Sequence, residues 1–414
     1  MAGGFGSRLS SISDGLPKPL MPIEGKPVLE REIECLRDQG FKDIILTVSY
    51  LGEKIIDYFG DGSRFGVNID YYFENEPLGN AGALFKIKEK LSDVFLLLNA
   101  DSLFDVDFNK FVDYHFKKGG LATLFTHPNS HPYDSGLIVV DNNFSVIKWY
   151  SKEDNKPLWY KNRVNAGLHI IDKRLLDKEI NVPKIDLDRN ILKPLVGTGK
   201  IFAYDSPEYV KDMGTPERYY AVCSDFKKGI VESKNIKNKQ KAIFLDRDGT
   251  INKYVGFLSN INDFELLENV AEAIKIINSN GYLVIVVTNQ PIIARGEATF
   301  EQLNEIHNKM ETLLGKSGAY LDAIYYCPHH PDKGFPNEIA ELKIDCQCRK
   351  PKPGMLIKAA EDFNIDLKES FMIGDSENDV KAGNAAGCKT ILLNDRFNLY
   401  KAIVEIFGGS CYGM

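Results

Sequence analysis

The chain carries two separate series of short apolar runs alternating with helical patterns, divided by one polar stretch, and this arrangement constrains its fold most. In the first series, runs of strand length fall at 43–49, 94–99, 121–126, 136–140 and 167–171. In the second, strand-like runs at 242–245, 282–288 and 370–374 accompany helical patterns at 269–279 and 300–314. Strands covered on both faces read as continuous apolar runs, and their alternation with helices implies a mostly parallel sheet. The expected fold is α/β, with two doubly wound, mostly parallel-sheet domains. Residues 226–240 are lysine-rich, with Ile230, Val231 and Ile236 alone to bury, and read as a linker between domains at 1–225 and 241–414.

A net charge of −7 lacks the basic footprint of a nucleic-acid binder. No apolar run approaches the ~20 residues of a membrane helix, and Met1–Gly6 resembles no secretory leader, so a cytoplasmic chain is expected. Seven cysteines without a secretion signal point to thiols or metal ligands rather than disulfides. Oligomeric state is not readable.

Gly3, Gly4 and Gly6, followed by Arg8, form a glycine-rich loop whose backbone N–H groups can approach a polyphosphate closely, with Arg8 and Lys18 adding positive charge. The combination GGxGxRL…PKPLxPIxGKP resembles the sugar-nucleotide pyrophosphorylases, nucleotidyltransferases with a Rossmann-like fold that join a sugar 1-phosphate to an NTP. The resemblance spans about the first 220 residues and implies further roles. The segment from Glu74 to Gly82, with Gly79, stands where that family contacts base and ribose. Asp101 and Asp212 stand in place of its Mg²⁺-binding aspartates, and Asn165 and Gly167 in its sugar-binding segment. Lys152, in Ser151-Lys152, is the nearest match to the family's Glu-Lys, whose lysine meets the sugar phosphate. Such a glycine loop normally follows a strand, and too few residues precede Gly3 to form one. We expect a natural start several residues upstream, the alternative being an impaired first half.

In the second half, Asp246 and Asp248 sit two residues apart after a buried apolar run, a spacing that lets both carboxylates face one pocket if the loop turns. One can attack phosphorus while the other protonates the leaving oxygen and later activates water. Thr288, Lys350 and the acidic run from Asp375 to Asp379 follow in order. DxDGT…T…K…GDxxxD resembles the haloacid dehalogenase superfamily of phosphatases, with their Rossmann-like fold. The resemblance implies Asp246 as nucleophile, Asp248 as general acid/base, and Thr288 and Lys350 on the phosphoryl oxygens. Mg²⁺ would then sit among Asp246, the Asp248 carbonyl and Asp375. Cys327, His329, Cys346 and Cys348 form C-x-H…C-x-C, a set suited to a structural, tetrahedral Zn²⁺ that would fix the loop presenting Arg349 and Lys350.

The clip together with DRDGTIN, VTNQ, ARG and CRKPKPGM is similar to the D,D-heptose 1,7-bisphosphate phosphatases, with histidinol-phosphate phosphatases sharing much of the pattern. Asn289, Arg295 and Arg349 are the expected substrate contacts, and Pro291-Ile292-Ile293 replaces the usual Ser-Gly-Ile. The pairing implies consecutive steps of GDP-heptose synthesis: removal of the C7 phosphate, then GMP transfer from GTP to the α-1-phosphate. The alternatives are a hexose- or mannose-1-phosphate nucleotidyltransferase joined to another phosphatase, or a first half that binds without catalysing.

Overall fold

A computed structural model of the chain describes Leu9 and residues 11–408. It divides into two compact units. The first takes in the chain as far as His127, then Ile138–Trp149 and Asn165–Asn235. The second combines Pro128–Leu137 and Tyr150–Val164 with the chain from Ile236 onward.

In the first unit the long strand Val164–Asp172 organises a six-stranded sheet and pairs antiparallel with Val94–Leu98. Ile201–Asp205 lies parallel to Ala122–His127 at the sheet's edge, so the sheet is mixed. Asp43–Val48 and Asn68–Phe73 form a separate parallel pair. A cavity of about 890 Å³ is lined by both Asp43–Val48 and Val94–Leu98, with Leu29, Ile33 and Leu36 of the helix Val28–Arg37 contributing to its wall. The segment before Gly3, where a strand is expected, lies outside the described residues, as does the glycine loop itself.

The 226–240 stretch does not run free. The helix Pro216–Lys227 reaches into it, the short helix Ile230–Ser233 follows, and Ile230 and Val231 are buried against Met21, Ile23 and Tyr209. Those apolar residues anchor a chain that the lysines alone would leave in water. The division between units falls after Asn235.

The second unit is built on a five-stranded sheet whose strands all run parallel. Its central strand Ala242–Leu245 lies between Leu283–Asn289 and Phe371–Gly374, with Ala323–Cys327 and Lys389–Leu392 at the edges. Period-2 alternation sends Ile243, Leu245, Val284 and Val286 to one face, where the helices Val270–Ser279, Phe300–Lys316 and Leu399–Gly408 cover them. Ala242, Phe244, Leu283 and Ile285 face the other side, under Gly354–Phe363 and Glu377–Ala386. Such a parallel sheet opens at the carboxyl ends of its strands, and Asp246, Asn289 and Asp375 sit at or just beyond three of them. Among the described residues no helix is long and apolar enough to cross a membrane.

Candidate functional site

The second unit brings together the carboxylates and lysine that its sequence motifs propose. Asp246 follows the central strand, and Lys350 Nζ lies 2.8 Å from Asp246 Oδ1 and 2.5 Å from Asp379 Oδ1. Burial pushes the Asp246 carboxyl above its ordinary range, against the pull of Lys350, and the charge of Asp379 adds to the push. Burial works to lower the Lys350 ammonium, but Asp246 and Asp379 outweigh it and hold it up. Ligand oxygens of Asp246, Asp375 and Asp379 all lie within 4.8 Å of one another. Burial, then Asp379, raises the Asp375 carboxyl. Gly249 has a φ of +80°, and a Cβ there would collide with Asp375, so the DGT turn and the acidic loop meet only because this residue is glycine.

Asp379, the last acid of GDxxxD, does two jobs beyond what the motif implies. Its Oδ2 accepts from the Ser376 backbone N–H at 3.0 Å and the Ser376 hydroxyl at 2.7 Å, closing the capping box of the helix Glu377–Ala386. Its Oδ1 is thereby aimed at Lys350. The Ser-x-x-Asp pattern was the available signal.

Asp248 is held apart from this group. Its carboxylate accepts from Arg247, from Asn252 Nδ2 at 3.0 Å and from Gln290 Nε2 at 2.9 Å. Gln290 Nε2 also donates to Thr288 Oγ1 at 3.0 Å, tying the buried Thr288 to the same cluster. Asn289 and Lys350 exchange two hydrogen bonds, Asn289 Nδ2 to the Lys350 carbonyl and the Lys350 N–H to Asn289 Oδ1, each at 3.0 Å. Arg295 lies over Phe257 at 3.8 Å and Phe335 at 4.5 Å.

The four clip residues converge. Cys348 Sγ is 3.2 Å from both Cys327 Sγ and Cys346 Sγ, and His329 Nδ1 lies 3.3 Å from Cys348 Sγ. Hydrogen bonding from Cys327 leads in pulling the Cys348 thiol down to about 5, which favours the thiolate that a metal requires. Arg349 Nη1 donates to the His329 carbonyl at 3.2 Å, so the clip and the loop carrying Lys350 are joined directly.

In the first unit, a cavity of about 850 Å³ is lined by Lys18, Glu74, Gly79, Asn80, Asn99 and Asp101, among others. Lys18 Nζ lies 3.2 Å from Asp101 Oδ2. The antiparallel pairing of Tyr209–Asp212 with Ser102–Asp105 sets Asp212 opposite Ser102, and the Met213 N–H donates to the Asp101 carbonyl at 3.1 Å. The two aspartates, 111 positions apart in the chain by their numbering, thus meet at one end of the strand pair, Asp101 just before one strand and Asp212 as the last residue of the other. Arg218 Nη1 donates to both Asp212 oxygens at 3.0 Å. Burial raises the Glu74 carboxyl. Gly79, at φ +86°, packs so closely on Ile185 that a Cβ would collide with its carbonyl. Asn165 Oδ1 accepts from the Gly167 N–H at 3.1 Å, and a Cβ on Gly167 would lie 2.7 Å from Asn99 Nδ2 at the cavity wall. Lys152 is exposed, in the 150–164 segment that belongs to the second unit. Gly3, Gly4, Gly6 and Arg8 lie outside the described residues.

A large open cavity at strand ends in one unit and paired aspartates with a buried lysine in the other define a chain of phosphoryl-group chemistry at two places. The Nucleotidyl transferase family matches residues 1–229 and the HAD-hydrolase-like family residues 347–395. The D-glycero-beta-D-manno-heptose-1,7-bisphosphate 7-phosphatase of Pasteurella multocida (strain Pm70) is 44% identical over 155 residues, covering 37% of this chain and 81% of that protein. The D-glycero-alpha-D-manno-heptose-1,7-bisphosphate 7-phosphatase of Burkholderia mallei (strain ATCC 23344) is 40% identical over 155 residues, with 37% and 80% covered. HddC from Yersinia pseudotuberculosis aligns at 30% identity with a TM-score of 0.47, over 54% of this chain and 96% of that one. The chain belongs to the nucleotidyl transferase family through its first half and to the HAD-like phosphatases through its second. It is a phosphatase and a nucleotidyltransferase in one polypeptide.

Proposed function

We propose that the second unit hydrolyses the C7 phosphate of D-glycero-D-manno-heptose 1,7-bisphosphate and that the first transfers GMP from GTP to the resulting heptose 1-phosphate. The observation that carries the reading is the joint arrangement of Asp246, Lys350, Asp379 and Asp248 in a unit 44% identical to a heptose bisphosphate phosphatase. An Asp246 oxygen attacks phosphorus, the bond from phosphorus to the C7 oxygen breaks, and Asp248 delivers a proton to that oxygen. Water, deprotonated by Asp248, then attacks the aspartyl-phosphate and releases inorganic phosphate. Thr288 and Lys350 hold the phosphoryl oxygens, while Asn289, Arg295 and Arg349 contact the substrate.

The donor set fits a divalent ion. Asp246, Asp248, Asp375 and Asp379 face two cations, Lys350 and Arg247, which leaves two negative charges at a cluster of hard oxygens. Mg²⁺ held by Asp246, the Asp248 carbonyl and Asp375 would supply charge neutralisation during transfer. The clip fits Zn²⁺: separations of 3.2 to 3.7 Å among its atoms come close to the ~3.8 Å edge of a tetrahedron with ~2.3 Å zinc–sulfur bonds. With four protein ligands, its role is structural.

In the first unit, the heptose 1-phosphate oxygen attacks the α-phosphorus of GTP and pyrophosphate leaves. Gly3, Gly4, Gly6, Arg8 and Lys18 receive the phosphates, Glu74 and Gly79 the nucleoside, and Asn165, Gly167 and Lys152 the sugar phosphate. Mg²⁺ on Asp101 and Asp212 would offset the meeting of two anions. The pairing of steps favours the α anomer, the name that the Burkholderia mallei relative bears. Phosphate release from both anomers, and from histidinol phosphate as a rival, tests the reading. Faster release from histidinol phosphate would overturn it.

A further inference from the structure

Arg247 separates the two aspartates of the DxD motif, and its side chain is wholly buried, the largest such side chain in the described chain. A buried guanidinium is tolerated only when its donors are met. Arg247 Nε donates to Asp248 Oδ1 at 3.1 Å, and Nη2 reaches Asp248 Oδ2 at 2.8 Å and Oδ1 at 3.0 Å. Nη2 also meets Gln290 Oε1 at 3.0 Å, and Nη1 lies 3.3 Å from His307 Nε2 on the helix Phe300–Lys316. A guanidinium can only donate, so His307 Nε2 accepts and its proton sits on Nδ1. Burial and the neighbouring Arg247 charge both hold His307 far below its ordinary range, in keeping with a neutral ring.

The two acids of the motif, adjacent but for one residue, are given separate cationic partners. The arginine fork takes Asp248 in a fixed plane, leaving Lys350 to Asp246 and Asp379. We propose that Arg247, backed by His307 and by Gln290, is the positioning residue of the acid–base step, orienting the Asp248 carboxyl toward the leaving oxygen. This rests on the phosphatase reading above. None of the three residues touches the phosphoryl group in this role; they act through Asp248.

The test compares two phosphate esters on the full-length enzyme with Mg²⁺. Heptose 1,7-bisphosphate expels an alkoxide, which needs a proton, whereas p-nitrophenyl phosphate expels a stabilised phenolate that leaves without one. The readout is the ratio of their kcat/KM values, which reports transfer to Asp246 and cancels any loss of folded protein. For Arg247→Lys and His307→Leu the sugar-to-aryl ratio should fall by roughly 10- to 100-fold, short of the roughly 10²- to 10⁴-fold that a general acid supplies because Asp248 itself remains. His307→Gln, which keeps an acceptor for Arg247, should restore the ratio to within about threefold. Equal falls on both esters, or an unchanged ratio, would overturn the proposal while leaving the phosphatase reading intact. A wild-type enzyme that leaves the bisphosphate uncleaved would overturn that reading and this proposal with it.

Discussion

The acidic groups of the two units are compensated in opposite ways. In the first, Asp212 is paired with Arg218, and Asp101 with Lys18 in the wall of a cavity of about 850 Å³. In the second, four carboxylates share two buried cations, and three of them converge within 4.8 Å. On the function proposed above, an ion would complete the second site before substrate arrives, whereas in the first the aspartates already have basic partners among the described residues, and Lys18 and Arg218 would turn to the phosphates once Mg²⁺ is held there. Electrostatic preorganisation would then mark the phosphatase unit, and substrate-driven assembly the nucleotidyltransferase unit.

Removing the nucleophile should separate the two units most. Asp246→Asn should lower phosphate release at least about 10³-fold while nucleotidyl transfer to supplied heptose 1-phosphate stays within about twofold. Asp101→Asn should do the converse more mildly, with a roughly 10²-fold loss of nucleotide-sugar formation and phosphate release unchanged, followed by chromatography of products. Smaller still, Cys348→Ser should abolish bound zinc by elemental analysis and reduce phosphate release about tenfold, through the loop that Arg349 ties to His329. The finest test is thermal. Mg²⁺ alone at about 100 times its Kd should raise the phosphatase unit's melting midpoint by several degrees, on the order of 2.7 kcal/mol of linkage. The nucleotidyltransferase unit should respond only to Mg²⁺ with GTP.

Much of the second unit was legible because its chemistry lies in short contiguous segments at the ends of apolar strands: Asp246, Asn289 and Asp375 each end or follow a run buried on both faces. The clip was legible from spacing for the same reason. The Arg247–His307 contact was not, since His307 sits on an amphipathic helix among ordinary core residues and joins the motif across 60 positions. The boundary after Asn235 falls inside the 226–240 stretch read as a linker, but the packing of Ile230 and Val231 was hidden, because Met21 and Ile23 lie near the other end of the first unit's sequence. The segments 128–137 and 150–164 carry no local signal for the second unit. They join it through contacts such as the Tyr160 N–H on Thr312 Oγ1 at 2.8 Å and the Asn162 N–H on Glu311 Oε2 at 2.7 Å.

Phosphorus NMR of the purified protein with heptose 1,7-bisphosphate, GTP and Mg²⁺ follows both proposed steps in one sample. Inorganic phosphate should appear first, then pyrophosphate and GDP-heptose in equal amounts, with Asp246→Asn blocking all three. Pyrophosphate formed without prior loss of the C7 phosphate, or phosphate released with no nucleotide sugar following, would rule out two consecutive steps on one chain.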